Sequence, residues 1–310
     1  MNSVINVYKE KGCTSFKAVA AIRSMTGERK TGHLGTLDPD AEGVLPVCLG
    51  KAAKLMGLLE DGQKEYRAVM QLGIATDTLD ITGTVLRRET PFRLNNDLIR
   101  EALYHFTGPV EQVPPMYSAL KVNGVKLVDA ARKGIIIERK TRIITVFGYS
   151  DIRYDPDNDR IAFTVRCSRG TYIRTLCEDI GGYLGMPACM YSLIRTESAG
   201  LRIESAHTLD EIRELISSGN AESIMIPVDK MLEDRPAVYS KGAEADKKLY
   251  AGNFLDDDDY TCEEGLSREK LLSGCQLRIY DSKGGFIALY YYDERRKILK
   301  CVRMLNEIHN

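Results

Sequence analysis

The chain has 310 residues, 44% hydrophobic and 28% charged, with a formal net charge of −1. These values describe a globular protein and exclude a disordered one, and the length suits about two domains, each with a core of its own. No stretch reaches the ~18 apolar residues of a membrane span, and the N-terminus reaches Lys9 and Lys11 without an apolar run of signal-peptide length, so a cytoplasmic protein is expected.

The net charge gives no global sign of a polyanionic partner, but charge is unevenly spread. Residues 121–142 hold Lys121, Lys126, Arg132, Lys133, Arg139, Lys140 and Arg142 against only Asp129 and Glu138, whereas Asp256 to Asp259 form an acidic run. A basic stretch of this kind fits either a solvated helix surface or polyanion binding on one face. The eight cysteines form no Cys-x-x-Cys pair and are expected to be reduced and mostly buried. None of the four histidines, His33, His105, His207 and His309, stands at metal-ligand spacing from a cysteine, so no structural zinc site is expected.

In chain order, residues 3–8 read as an opening strand. Thr14 or Ser15 then caps a helix carrying Phe16, Val19, Ala20 and Ile22 at helical spacing. The turn-rich segment GHLGTLDPDAEGVLPVCLGK follows, with glycines at 32, 35 and 43. Pro39 stiffens the backbone at Asp38, and the apolar run 44–49 can bury beneath the loop. A polar rim over an apolar floor suits an active site, while Asp-Pro near glycine is also a common structural turn. The residues alone leave both readings open.

Residues 64–73 alternate, with Tyr66, Ala68, Met70 and Leu72 on one face of a half-buried strand. ITGTVLRRE reads as a hairpin arm, NNDLIREALYHFTG as an amphipathic helix ending at Gly108, and QVPPMYSALKVNGVKL as a proline-restricted loop. Two strands joined by DPDND follow. In RGTYIRTLCEDIGGYLG, Thr171 caps a helix with Arg174 in its first turn, able to reach over the sheet end toward Asp38. TLDEIRELISSGN is a helix with a glycine stop, DKMLEDRPAVYSKG an interdomain connection, and the remainder a small β-rich module with a Gly284-Gly285 turn. The division expected is 1–232 and 233–310.

Taken together, GHLGTLDPDAEGVLPVCLGKAAKL, KEYRAVMQLGIATDTLDITG, QVPPMYSALKVNGVKL and CSRGTYIRTLCEDIG stand in the order of one family's motifs. The chain closely resembles the bacterial tRNA pseudouridine-55 synthases, the TruB type, over at least residues 3–200. The resemblance implies a mixed α/β (α+β) pseudouridine synthase fold around a long, mostly antiparallel sheet, ending in a small PUA-like β module. It implies conversion of uridine 55 of the tRNA T loop to pseudouridine, with no cofactor and no metal, by a cytoplasmic monomer that needs tRNA but no protein partner.

By the same resemblance Asp38 is the nucleophile or base, Tyr66 stacks on the flipped base and assists proton removal at C5, and Arg174 pairs with Asp38. Tyr172 lines the pocket, His33 enters the T loop as the uridine leaves, and Lys9 approaches the RNA or supports the active-site loop. Lys121 and Arg132, in the basic stretch, are expected RNA contacts. Leu34 stands where the family usually has threonine, which would remove a hydroxyl near the RNA backbone, and Glu197 near Arg195 alters a usually basic segment. Three other functions stay in view. They are a guide-RNA-dependent synthase, an RNA-folding protein with secondary catalysis, and a hydrolase using Asp38 with Asp40 or Glu42.

Overall fold

The structure is a computed structural model that describes residues 2–60 and 62–305; His309, among the histidines noted above, lies outside them. The strands in chain order are β1 (Asn2–Lys9), β2 (Thr31–His33), β3 (Glu42–Gly50), β4 (Lys64–Leu72), β5 (Ile74–Thr76), β6 (Val85–Arg88) and β7 (Gly108–Gln112). There follow β8 (Lys121–Val122), β9 (Val125–Lys126), β10 (Arg142–Asp155), β11 (Arg160–Cys167), β12 (Ala188–Ser198), β13 (Leu201–Arg202) and β14 (Ile226–Pro227). The last are β15 (Ala237–Ser240), β16 (Tyr260–Cys262), β17 (Gln276–Tyr280), β18 (Phe286–Asp293) and β19 (Ile298–Met304).

Ten of these form one long sheet in the order β14-β1-β3-β12-β4-β11-β10-β7, with β2 on β3 and β13 on β12. Its pairings are antiparallel except for β3 with β12, so the expected mixed α/β architecture with a mostly antiparallel sheet is what the chain forms. The alternation read in residues 64–72 has its physical cause here. β4 lies between β11 and β12, and Tyr66, Ala68, Met70 and Leu72 are all buried on the helix-covered face. The parallel contact needs a close approach. A Cβ on Gly43 would meet the Arg195 carbonyl at 2.2 Å, and its φ of 102° is one that side-chain-bearing residues rarely adopt.

Several local expectations need correction. The first helix, Ser15–Thr26, is capped by Thr14 as foreseen, yet Phe16 is 77% exposed. At about 100° per residue Phe16 falls outside the arc shared by buried Ala18, Val19 and Ile22. The helix with Arg174 spans Ile173–Tyr183 and its cap position is Tyr172; the Thr171 hydroxyl instead donates to the Ser168 carbonyl at 2.9 Å, closing the preceding turn. The helix Asn96–His105 stops before Gly108, which opens β7. The proline-restricted loop contains the β8–β9 hairpin and a short helix, Leu127–Ala131. Residues 237–240, read as connection, already belong to the second sheet, ordered β16-β15-β17-β18-β19.

One apolar cluster joins the two sheets: Val4, Leu34, Cys48 and Leu55 of the first pack with Val228, Leu232, Leu289 and Leu305. Leu34 is fully buried there, so the expectation of a lost RNA-facing hydroxyl at this position does not hold; its side chain serves packing. Glu197 likewise faces Arg166 and Arg202, at 3.6 and 3.5 Å, while Arg195 is wholly buried. Cys48, Cys167, Cys177 and Cys189 are buried thiols, Cys262 is exposed, and the other three are half-buried. Among the described residues no helix is long and apolar enough to cross a membrane.

Candidate active site

The loop between β2 and β3 is held from several sides. The Ser15 hydroxyl, on the first helical residue, donates to the Leu37 carbonyl at 3.1 Å and accepts from the Leu37 N–H at 3.0 Å. The Gly12 N–H and the Lys9 ammonium both donate to the Pro39 carbonyl, at 2.9 and 3.0 Å. Asp38 sits between these anchor points, so its backbone is fixed while its side chain remains 40% exposed. Burial of the surrounding wall pushes the Asp38 carboxyl above its ordinary range, and the Arg174 guanidinium pulls it back.

Arg174 reaches Asp38 across the end of the sheet, as its place in the first helical turn foresees. Its Nε lies 3.0 Å from Asp38 Oδ2 and its Nη2 donates to Oδ1 at 3.2 Å, a two-point grip that fixes both position and orientation of the carboxylate. The side chain is only 6% exposed, unlike an ordinary surface arginine. Nη1 donates to the Thr78 carbonyl at 3.0 Å and Nη2 to the Tyr117 carbonyl at 2.9 Å, so the guanidinium also ties down two loops. Asp80 stands 3.7 Å from Nη1 on the side away from Asp38. Its carboxylate accepts from the Thr78 and Thr82 hydroxyls. Arg174 is therefore shared by two carboxylates.

A cavity of about 410 Å³ opens beside the pair, lined by Asp38, Arg174, Tyr66, Tyr172, Lys64 and Leu193 among others. A second, of about 260 Å³, adjoins it and shares Asp38, Arg174, Tyr117 and Leu193. Tyr66 is 7% exposed, and burial pushes its phenol up while the Arg195 charge opposes that shift. A carboxylate held ready, a buried aromatic and a space of nucleotide size make a site for chemistry at a sugar or base carbon. Asp40 and Glu42 do not line the larger cavity, though Asp40 lines the smaller one beside Asp38.

The other expected residues divide. Tyr172 lines the cavity, its backbone fixed by Gln112, which accepts from the Tyr172 N–H at 2.8 Å and donates to its carbonyl at 3.1 Å. Lys9 is 1% exposed and donates to the carbonyls of Glu10, Cys13 and Pro39, so the structure gives it to support of the loop and not to an RNA-facing surface. Its burial pushes the ammonium below the usual lysine range. His33 lies on β2, outside both cavities, with Nδ1 buried and unpartnered; burial and then Arg195 push its imidazole down. Arg132 lines the smaller cavity, and Lys121 is exposed on the β8–β9 hairpin beyond both. Sequence reasoning missed Asp80, Gln112, Lys64 and Arg195. Asp80, Lys64 and Gln112 fall inside quoted motifs, but nothing in their spacing pairs them with Arg174, the cavity or Tyr172. Among the described residues no group of three His, Cys, Asp or Glu lies together as a metal site.

The fold and this carboxylate–guanidinium–tyrosine cleft define a pseudouridine synthase architecture. A chain of the solved Cbf5–Nop10–Gar1 complex superposes with a TM-score of 0.71 at 25% identity, covering 99% of this chain and 85% of that one. The family model described as TruB family pseudouridylate synthase (N terminal domain) matches residues 23–173, and that of the tRNA pseudouridylate synthase B C-terminal domain matches 174–233. A curated protein of Lachnoclostridium phytofermentans named tRNA pseudouridine synthase B is 44% identical, covering 98% of this chain and 99% of its own length. One of the same name from Lactiplantibacillus plantarum is 42% identical, with 96% of each chain covered. The chain belongs to the TruB family of pseudouridylate synthases.

Proposed function

We propose that this protein converts uridine 55 in the T loop of tRNA to pseudouridine, acting alone on the T-arm stem-loop. The observation that carries the reading is the two-point Arg174–Asp38 pair opening onto a cavity walled by Tyr66. Near-full-length relatives named tRNA pseudouridine synthase B support the choice of tRNA. In the reaction the C1′–N1 bond breaks, the base turns, a C1′–C5 bond forms, the C5 proton leaves and N1 takes up a proton, so atoms and electrons balance without a cofactor. Asp38, ionised and oriented by Arg174, meets the nucleotide. Tyr66 holds the flipped base and assists removal of the proton at C5. Tyr172 closes the pocket side, His33 replaces the departed base in the loop stack, and Lys121 and Arg132 contact RNA phosphates. Residues 1–232 form the catalytic domain and 233–310 a PUA-like RNA-binding module of a cytoplasmic monomer.

A guide-RNA-dependent synthase is the second reading, favoured by the structural likeness to a chain of the Cbf5–Nop10–Gar1 complex. One experiment decides between them: the purified chain is incubated with an unmodified T-arm hairpin and the product mapped. Pseudouridine at the target position without guide or partner protein supports the proposal, and its absence overturns it. Asp38→Asn is expected to abolish product while leaving hairpin binding nearly intact. Product from that variant would remove Asp38 from its role, and free uracil would point to a hydrolase.

A further inference from the structure

Lys64 opens β4 two residues before Tyr66, so the two side chains share a face of the strand. Lys64 is 6% exposed and lines the larger cavity. Among the described residues no carboxylate or carbonyl accepts a hydrogen bond from its ammonium, and Glu60, which lines the same cavity, raises its basicity without forming an ion pair. Arg195 stands directly across from Tyr66 on β12 and is wholly buried. Its Nε donates to the Val44 carbonyl at 2.7 Å and its Nη2 to the Gly35 carbonyl at 2.9 Å; Nη1 is buried without an acceptor of good geometry, and the guanidinium lies beside the Tyr66 phenol.

The two cationic ends converge at one place. A Cβ added to Gly35 would sit 2.8 Å from Lys64 Nζ and 3.3 Å from Arg195 Nη1, and Gly35 keeps a φ of 74° that leaves this floor bare. Arg195 Nη1 is a buried donor, whereas Lys64 lines the cavity, where an acceptor can reach it. The like charge of Arg195 beside Lys64 makes an anion there more favourable. A phosphate oxygen in the cavity can accept from Lys64, while Arg195, wholly buried and lining neither cavity, adds its charge from behind.

We propose that Lys64, backed by Arg195, forms a phosphate subsite of the cavity, taking a backbone phosphate that flanks the displaced uridine. The inference rests on the function proposed above, since a nucleotide with its base on Tyr66 carries its phosphates one ribose width away. Burial, and after it the Arg195 charge, push Lys64 down to about 8, with Arg169 adding and Glu60 and Cys167 opposing. A bound phosphate raises it again, so binding near pH 8 takes up protons.

The test uses T-arm hairpins with a single neutral methylphosphonate 5′ or 3′ of the target uridine. Binding is measured in the Asp38→Asn background for Lys64, Lys64→Met and Lys64→Arg. With Lys64 present, one of the two replacements weakens binding about tenfold or more; with Lys64→Met the unmodified hairpin is weakened comparably and that replacement costs nothing further. Lys64→Arg restores binding and moves its alkaline loss upward from pH 8. Effects of Lys64→Met and methylphosphonate that multiply at both positions overturn the subsite, as does unchanged RNA binding by Lys64→Met. Pseudouridine formation by the unmutated chain is scored separately. Product without coupling sinks the subsite alone, whereas no product sinks the functional reading.

Discussion

At the residue scale, Arg174 spreads one guanidinium over Asp38, the Thr78 and Tyr117 carbonyls and the neighbouring Asp80. A lysine in its place brings three donors from a single point and cannot hold two carboxylate oxygens in one plane. Arg174→Lys is therefore expected to lower kcat about 10²-fold, with much less effect on KM, because misplacing the carboxylate by an ångström costs that much. Single-turnover kinetics on the T-arm hairpin check the split. The Asp38 carboxyl, pushed up by burial, must be ionised to act, so the acid limb of the rate–pH profile should fall above the ordinary aspartate range. A limb within that range would leave burial without effect. Lys64 carries the opposite sign. Its folded pKa of about 8 lies below the unfolded lysine value, so the fold penalises the charged form at every pH below 8, and the penalty fades as pH rises toward the unfolded value. Lys64→Met should stabilise the free protein at pH 7 by on the order of 2 kcal/mol and lose that advantage near pH 10. Urea titrations at both pH values measure it.

At the scale of elements, the site depends on where strands and loops meet. β3 and β12 run parallel at Glu42–Gly43 and Ile194–Arg195, the one parallel contact in an otherwise antiparallel sheet. This places the end of the Asp38 loop against Arg195, and so behind Tyr66. Gly43→Ala drives a methyl into the Arg195 carbonyl at a positive φ. The variant should lose about 3 kcal/mol or more in urea denaturation, a backbone clash without room to relax. Activity should fall with it, since the same shift moves the loop that carries Asp38. The helix Ile173–Tyr183 contributes more simply: its N-terminal turn aims Arg174, and Gln112 of β7 fixes the Tyr172 backbone at its start.

At the scale of the molecule, RNA must be held by a local face because the net charge is −1. Lys126 lines the larger cavity and Arg132 the smaller, while Lys121 and Lys133 lie exposed on the same hairpin-and-helix segment. Hairpin binding should weaken steeply with salt, and Lys133→Ala should reduce the slope of log K against log[salt] by about 0.7 to 0.9 if it meets a phosphate. An unchanged slope would take that lysine off the RNA face. The two sheets share one apolar cluster, in which Leu289 and Leu305 join Val4 and Leu34.

Read from its residues, the chain already declared its alternating β4 strand, the helix that aims Arg174, and the stiff Asp-Pro loop. These depend on local periodicity and backbone stereochemistry, which neighbours in sequence dictate. The motif order declared the family, and the three residues it singled out, Asp38, Tyr66 and Arg174, line one cavity. What the sequence could not specify is which charges meet. Asp80 joined Arg174, Arg195 came to lie behind Tyr66, Lys9 was spent on carbonyls, and Leu34 sank into the seam between sheets. Each of these follows from strand order and from desolvation, and neither is encoded within a few residues of the side chain that feels it.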